Sequence, residues 1–206
     1  DYHHQPDSRG ATVFDLWWDL LEESIWADDF PRPQMQYPGR ARTARLIWGD
    51  TAARWFDNRK TPARETLRQL VHQTFTATHD SLTRFDPNPS MWSWANYRKI
   101  GVPHLSRSKA LRGLGRWNLP AGGDGGCVNA LRTDAHGPSW RMVVAMGPYV
   151  RGYGIYPGGQ NGNPASRYYY NFMDAWVRGE LQELYFMRAP DRSARRILGV
   201  MELKND

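Results

Sequence analysis

The chain has 206 residues, 23% of them charged, and a formal net charge of +6 that rests almost wholly on arginine. That length allows one domain with a sizeable core, and ten Trp, ten Tyr and seven Phe supply large apolar faces for it. No apolar run approaches the about 20 residues that span a bilayer, which excludes membrane insertion. The basic residues are dispersed, with only short clusters such as Arg40, Arg42, Arg45 and Arg188, Arg192, Arg195, Arg196, which argues against a nucleic-acid partner.

Asp7 or Ser8 caps a predicted helix from Ala11 to Phe30, in which Val13, Phe14, Trp17, Leu20, Leu21 and Ile25 recur at helical spacing. The run from Phe30 to Pro33 stops it. A second helix is predicted over Arg40 to Phe56, carrying Leu46, Ile47, Trp48 and Trp55, although its arginines gather at the end where the helix dipole disfavours them. Thr61-Pro62 reads as the start of a third helix, a capping hydroxyl followed by proline at the first helical position, running to Arg84. Asp86-Pro87-Asn88-Pro89-Ser90 then ends the helical part, so that residues 1–90 form a mainly helical segment and 91–206 a strand-rich one.

In the second segment short strands are expected at Trp92 to Lys99, Cys127 to Arg132, Arg141 to Met146 and Tyr153 to Tyr156. Between the first two, Gly101 to Leu119 is a basic surface loop packed by Leu105, Leu111, Leu114 and Trp117. An aromatic helix is predicted over Tyr168 to Arg178. Leu184 to Met187 and Arg196 to Leu203 follow as a connector and a last strand. Helices first and antiparallel strands later make this an α+β arrangement.

Candidate chemistry is sparse. His3, His4, His72, His79, His104 and His136 are scattered and lack the spacings of zinc sites, so no metal and no cofactor is expected. His3 and His4 read as a flexible terminus. Cys127 is the only cysteine; it forms no internal disulfide and, in a strand beside Val128, reads as a buried inert thiol. Gly122-Gly123-Asp124-Gly125-Gly126 is not followed by a helix, so a turn or bulge feeding a sheet is preferred to a phosphate cradle. Ser139 and Ser166 have no base that the sequence places beside them, and no Gly-x-Ser-x-Gly elbow occurs.

The densest concentration of glycine, proline and amides is the stretch Tyr156 to Ser166, between a strand and a helix. Its Gly158, Gly159, Gln160, Asn161, Gly162, Asn163 and Ser166 form the motif loop. Amides in a tight turn satisfy their own backbone more often than a ligand, so its role is read as structural, with a position near the site left open. The aromatic content supports a second reading, a binding module that presents aromatics to a glycan or peptide.

Taken jointly, the runs Gly122 to Ala130, Gly137 to Gly147 and Tyr153 to Ser166, followed by a helix with Trp176 and then Gly179-Glu180, resemble the carboxyl-terminal end of the β chain in the penicillin acylase (penicillin amidase) family of amino-terminal-nucleophile hydrolases. The resemblance extends over roughly Trp92 to Met187. Many relatives have Ser where Asn161 stands and His followed by Asp shortly after the loop, where this chain has Ser166-Arg167-Tyr168-Tyr169-Tyr170-Asn171.

The resemblance implies a part of a four-layer αββα fold. It also implies hydrolysis of linear amides, as in acylated β-lactams or acyl-homoserine lactones, with a place in antibiotic metabolism and a periplasmic or secreted location. In that family the first residue of the catalytic chain is the nucleophile and its α-amine the base. Asp1 is no such nucleophile, so no catalytic residue is expected in this chain and the fragment alone is expected to be inactive. Its partners are then the remainder of the same enzyme, upstream β-chain sequence and the α chain. The whole enzyme takes a small N-acyl substrate, and the isolated fragment is expected to self-associate.

Overall fold

A computed structural model describes residues 4–30, 35–131, 137–185 and 201–204. The chain folds as two compact units, Asp1–Gly137 and Pro138–Asp206. The architecture is α+β, helices first and then a three-stranded antiparallel sheet.

In the first unit, α1 (Arg9–Trp26) starts at Ser8, whose hydroxyl accepts from the Ala11 amide at 3.1 Å. It packs against α3 (Leu67–Phe85). Leu21, Ile25, Trp26, Phe56 and Leu70 form the core there, flanked by Trp17, Leu46, Trp55 and Val71. Each fully buried Leu or Ile contributes about 1.5–3 kcal/mol of apolar transfer.

The helix predicted to Phe56 is shorter: α2 spans Arg40–Gly49. Asp50 leaves helical geometry and its carboxylate accepts the Ala52 amide at 3.1 Å, after which one 3-10 turn, Arg54–Phe56, drops Phe56 into the core. The dipole conflict at the start of α2 has a local resolution, because Arg40 pairs with Asp15 at 2.6 Å and Asp19 at 2.9 Å on α1.

The start predicted at Thr61-Pro62 is also displaced. The cap of α3 is Thr66, in a reciprocal capping box: Gln69 N donates to Thr66 Oγ1 at 3.4 Å and Thr66 N to Gln69 Oε1 at 2.9 Å. The Thr61 hydroxyl instead donates to Glu65 Oε1 at 2.6 Å, closing the turn before the helix.

The expected strand Trp92 to Lys99 is helical. A 3-10 turn at Pro89–Met91 leads to α4 (Trp94–Arg98), whose first amides donate to Ser8 O and Pro6 O, and Lys99 in the left-handed region ends it. Trp94 is buried by this docking and its indole N–H reaches Gly123 O at 2.9 Å. The loop after it is tied by the bridge between Val102 and Arg116 and holds a 3-10 helix, Lys109–Leu114. Leu105, expected to pack it, is 98% exposed; Leu111, Leu114 and Trp117 are half-buried.

Residues 127–131 form no strand, and Cys127 is exposed rather than buried. The cause is the Asp124 turn: the Cys127 amide and thiol both turn back onto Asp124 O. The glycine run is therefore a turn, as expected, but feeds no sheet at that point. His3, Pro31, Pro33, Arg132 and His136 lie outside the described residues.

The second unit holds β1 (Arg141–Ala145), β2 (Arg151–Ile155) and β3 (Gln182–Leu184) in that spatial order. Arg141 pairs with Ile155, Ala145 with Arg151, and Gly152 with Leu184. A Cβ at Gly154 would meet the Trp140 ring at 2.5 Å, so glycine there lets the indole lie on β2. The helix expected from Tyr168 is only α5 (Met173–Arg178), ended by Gly179 with φ 73°. Residues before Met173 are used in turns instead. Met173 and Trp176 of α5 are buried with Ile155 in this unit. Of the last expected strand only residues 201–203 are described, and they are not in a strand; Met187 and Arg188 to Arg196 lie outside the described residues.

Candidate functional site

The motif loop in the second unit is a chain of turns closed by its own amides. Asn161 Oδ1 accepts the Asn163 amide at 2.8 Å, Asn163 Oδ1 accepts Ala165 at 3.0 Å, and Ser166 Oγ accepts Tyr168 at 3.2 Å. Side-chain oxygens that accept from the residue two further on are the reason Asn and Ser occur here. Gln160 contributes its backbone, donating to Asn171 Oδ1 at 3.1 Å, and Gly158 O accepts the Phe172 amide at 3.0 Å.

Glycine is required at two places in this loop. Gly158 has φ 101°, and a Cβ on Gly159 would lie 2.0 Å from Tyr168 O. The loop thereby strands its start and finish against each other. Gly158, Gly159 and Ser166 are half-buried, whereas Gln160 to Asn163 face solvent. Next to it, the Trp176 indole donates to Pro138 O at 3.0 Å, and the Arg141 guanidinium stacks over the Trp176 ring at 4.5 Å while donating to Trp176 O.

A second concentration of polar groups, which the spacing of the sequence does not reveal, lies in the first unit. Here a cavity of about 540 Å³ is lined by Asp15, Asp19, Glu22, Glu23, Arg40, Arg98 and Asp124, with backbone from Gly125 and Gly126. Two of its lining residues, Asp15 and Asp124, form a cluster with His4 in which one ligand-type atom from each lies within 4.8 Å of the others. His4 and Asp15 are buried and Asp124 is half-buried.

Local structure sets these three groups. The His4 carbonyl accepts the Gly123 amide at 2.9 Å, its ring lies on Trp94 with centroids 4.5 Å apart, and a Cβ at Gly122 would strike His4 O at 2.4 Å. Asp124 Oδ2 accepts the Gly126 amide at 3.0 Å. Burial lowers the His4 imidazole from its ordinary value, against the pull of Asp124 and Asp15. Burial alone would raise Asp124; the Gly126 and Gly125 amides, with His4 and Arg40, bring it below the usual carboxylate range instead. For Arg40, burial opposes the charge, but Asp15 and Asp19 more than offset it and hold the guanidinium charged.

A hydrolytic nucleophile with a placed base is not evident among the described residues. His104 Nδ1 lies 3.0 Å from Ser106 Oγ, but the same nitrogen also takes the Ser106 amide, so the pair closes an exposed turn. The Cys127 thiol is engaged by Asp124 O and Asn129 O at 3.3 Å each. Ser166 is occupied in its loop, and Ser139 is exposed. Among the described residues no helix is long and apolar enough to cross a membrane. Trp26, Trp92, Trp94 and Trp176 are buried, whereas Trp48, Trp140, Tyr149 and Tyr185 are exposed.

Comparison with known proteins decides the family: the penicillin amidase family matches residues 1–192. The chain belongs to the penicillin amidase family. It is similar to the acyl-homoserine lactone acylase QuiP of Pseudomonas putida, at 27% identity over 87% of this chain and 24% of that protein. It is similar also to the QuiP acylases of Pseudomonas syringae pv. syringae, at 29% identity over 68% of this chain, and of Pseudomonas aeruginosa, at 27% over 68%. These alignments cover 18% and 19% of the respective relatives. The chain therefore spans at most about a quarter of the length of these penicillin amidase relatives.

Proposed function

We propose that the chain is the carboxyl-terminal, structural segment of an amidohydrolase that cleaves linear N-acyl amides, with acyl-homoserine lactones as the leading substrate class. The observation that carries this reading is the family match over residues 1–192, together with three acyl-homoserine lactone acylases of which the chain covers only 18–24%. The loop supports a bracing role, since its amides are spent on its own backbone.

In this reading the catalytic group is an amino-terminal nucleophile elsewhere in the enzyme, attacking the amide carbonyl to give an acyl-enzyme that water then hydrolyses. The sheet of the second unit joins a larger four-layer αββα core. Met142, Val143 and Val144 of β1 are exposed, a surface suited to cover by the rest of the enzyme and to self-association without it. The enzyme acts in the periplasm or outside the cell, and its substrate class extends to acylated β-lactams.

The test is release of free amine from a panel of N-acyl-homoserine lactones and acylated β-lactams. The protein purified natively with its companion sequence should turn over at least one of them, and the 206-residue chain alone none. A native protein that releases no amine from any member of the panel would overturn the reading.

A further inference from the structure

The first unit brings the His4 imidazole and the Asp15 carboxylate, near the start of the chain, together with the distant Asp124 carboxylate, and the acylase reading gives them no task. We infer that His4, Asp15 and Asp124 form a binding site for a divalent first-row transition metal, of the zinc class. The inference is independent of the proposed function.

The geometry is of the right size. The three ligand atoms lie within 4.8 Å of one another. Zinc ligands at about 2.0–2.2 Å would draw them inward by roughly 1 Å or less, within the reach of small side-chain rotations. An imidazole beside two carboxylates selects zinc, manganese or iron over calcium and magnesium, which take oxygen ligands. Water would complete the coordination from the cavity side.

Burial supports the same conclusion. Asp15 is 6% exposed and His4 9%, and carboxylates withdrawn from water need a compensating cation. Arg40 supplies one, but it engages Asp15 through Oδ1 and is shared with Asp19. A carboxylate has a second oxygen with which to bridge a guanidinium and a metal. Asp19, Glu22 and Glu23 add negative charge to the wall of the cavity, against Arg40 and Arg98.

The ligands are also held from behind. Trp94 packs against the His4 ring at a tilt of 55° and donates to Gly123 O, Gly123 donates to His4 O, and Gly126 donates to Asp124. These contacts hold the His4 backbone and ring face and orient the Asp124 carboxylate.

The experiment uses the untagged protein expressed from its own gene in its native host, stripped with chelator and titrated with zinc alone, then with cobalt. We expect one zinc per chain, a visible cobalt spectrum, and at least about tenfold weaker zinc binding in both His4→Gln and Asp124→Asn. Near-UV circular dichroism of the metal-free variants identifies any that has lost its fold, and the other then decides. Failure to bind one zinc per chain, or unchanged affinity in a folded variant, overturns the proposal. Calcium bound in preference to zinc overturns the role of His4.

Discussion

The α-carbon of Gly159 sits so near Tyr168 that a methyl group on it would lie 2.0 Å from the Tyr168 carbonyl oxygen, with Asn171 Oδ1 at 2.6 Å. Backbone cannot move aside as a flexible side chain does, so this contact decides whether the loop closes. Gly159→Ala should lower stability by about 1–3 kcal/mol, the usual range for overpacking. Gly162, around which a Cβ would meet nothing within 4 Å, is the control. Thermal melts of the two alanine variants check this; equal losses would mean that the approach of Gly159 to Tyr168 does not brace the loop.

The helices of the first unit are joined by a buried relay. Trp26 Nε1 donates to Thr43 Oγ1 at 3.0 Å, and Thr43 Oγ1 donates to Glu22 Oε1 at 2.7 Å. Thr43→Val keeps the shape but strands the indole N–H, a desolvation loss of about 1–3 kcal/mol. Thr43→Ser should retain most of the stability. Chemical denaturation with both variants separates the hydroxyl from the methyl group.

Two threonines compete as starting points for α3. Thr66→Ala should cost about 1 kcal/mol, the typical value for a lost N-cap. Thr61→Ala, which removes only exposed hydroxyl contacts to Asn58 O, Ala63 O and Glu65, should cost clearly less. Denaturant midpoints read the order directly, and the reverse order would return the cap to Thr61-Pro62.

His4 gives stability a pH dependence of known sign. Its folded pKa is depressed by burial, so the unfolded chain takes up a proton first as pH falls. Its contribution is complete above an unfolded value of about 6.5 and is lost as pH drops below it. Asp124, also held below its ordinary range, adds a further loss only at pH below about 4. Melting temperatures from pH 8 to 5 should fall more for the native protein than for His4→Gln; parallel curves would contradict the burial of a neutral imidazole.

Much of this fold was legible in the sequence, and the exceptions have local causes. Apolar spacing located α1 and the body of α3, and β-branched residues located β1. Thr66-x-x-Gln69 is itself a capping signature, and it competes in the sequence with Thr61-Pro62 five residues earlier. The run Trp92 to Lys99 is rich in aromatics and read as a strand; docking of the Trp94 and Ala95 amides on Ser8 and Pro6 made it helical, a tertiary effect that propensity does not contain. The motif loop was visible because its signals are contiguous. His4, Asp15 and Asp124 were not, since their proximity exists only after Gly122 and Gly123 have packed against His4.

The central claim is that the reaction's nucleophile lies outside these 206 residues. It is tested most directly by trapping the acyl-enzyme. The natively purified protein is mixed with an N-acyl substrate, quenched in acid within the steady state, digested, and the acylated peptide identified by mass. The account predicts the acyl group on an amino-terminal residue of a peptide absent from this chain. An acyl group on Ser106, Cys127, Ser139 or Ser166, abolished together with amine release when that residue is replaced, would contradict it.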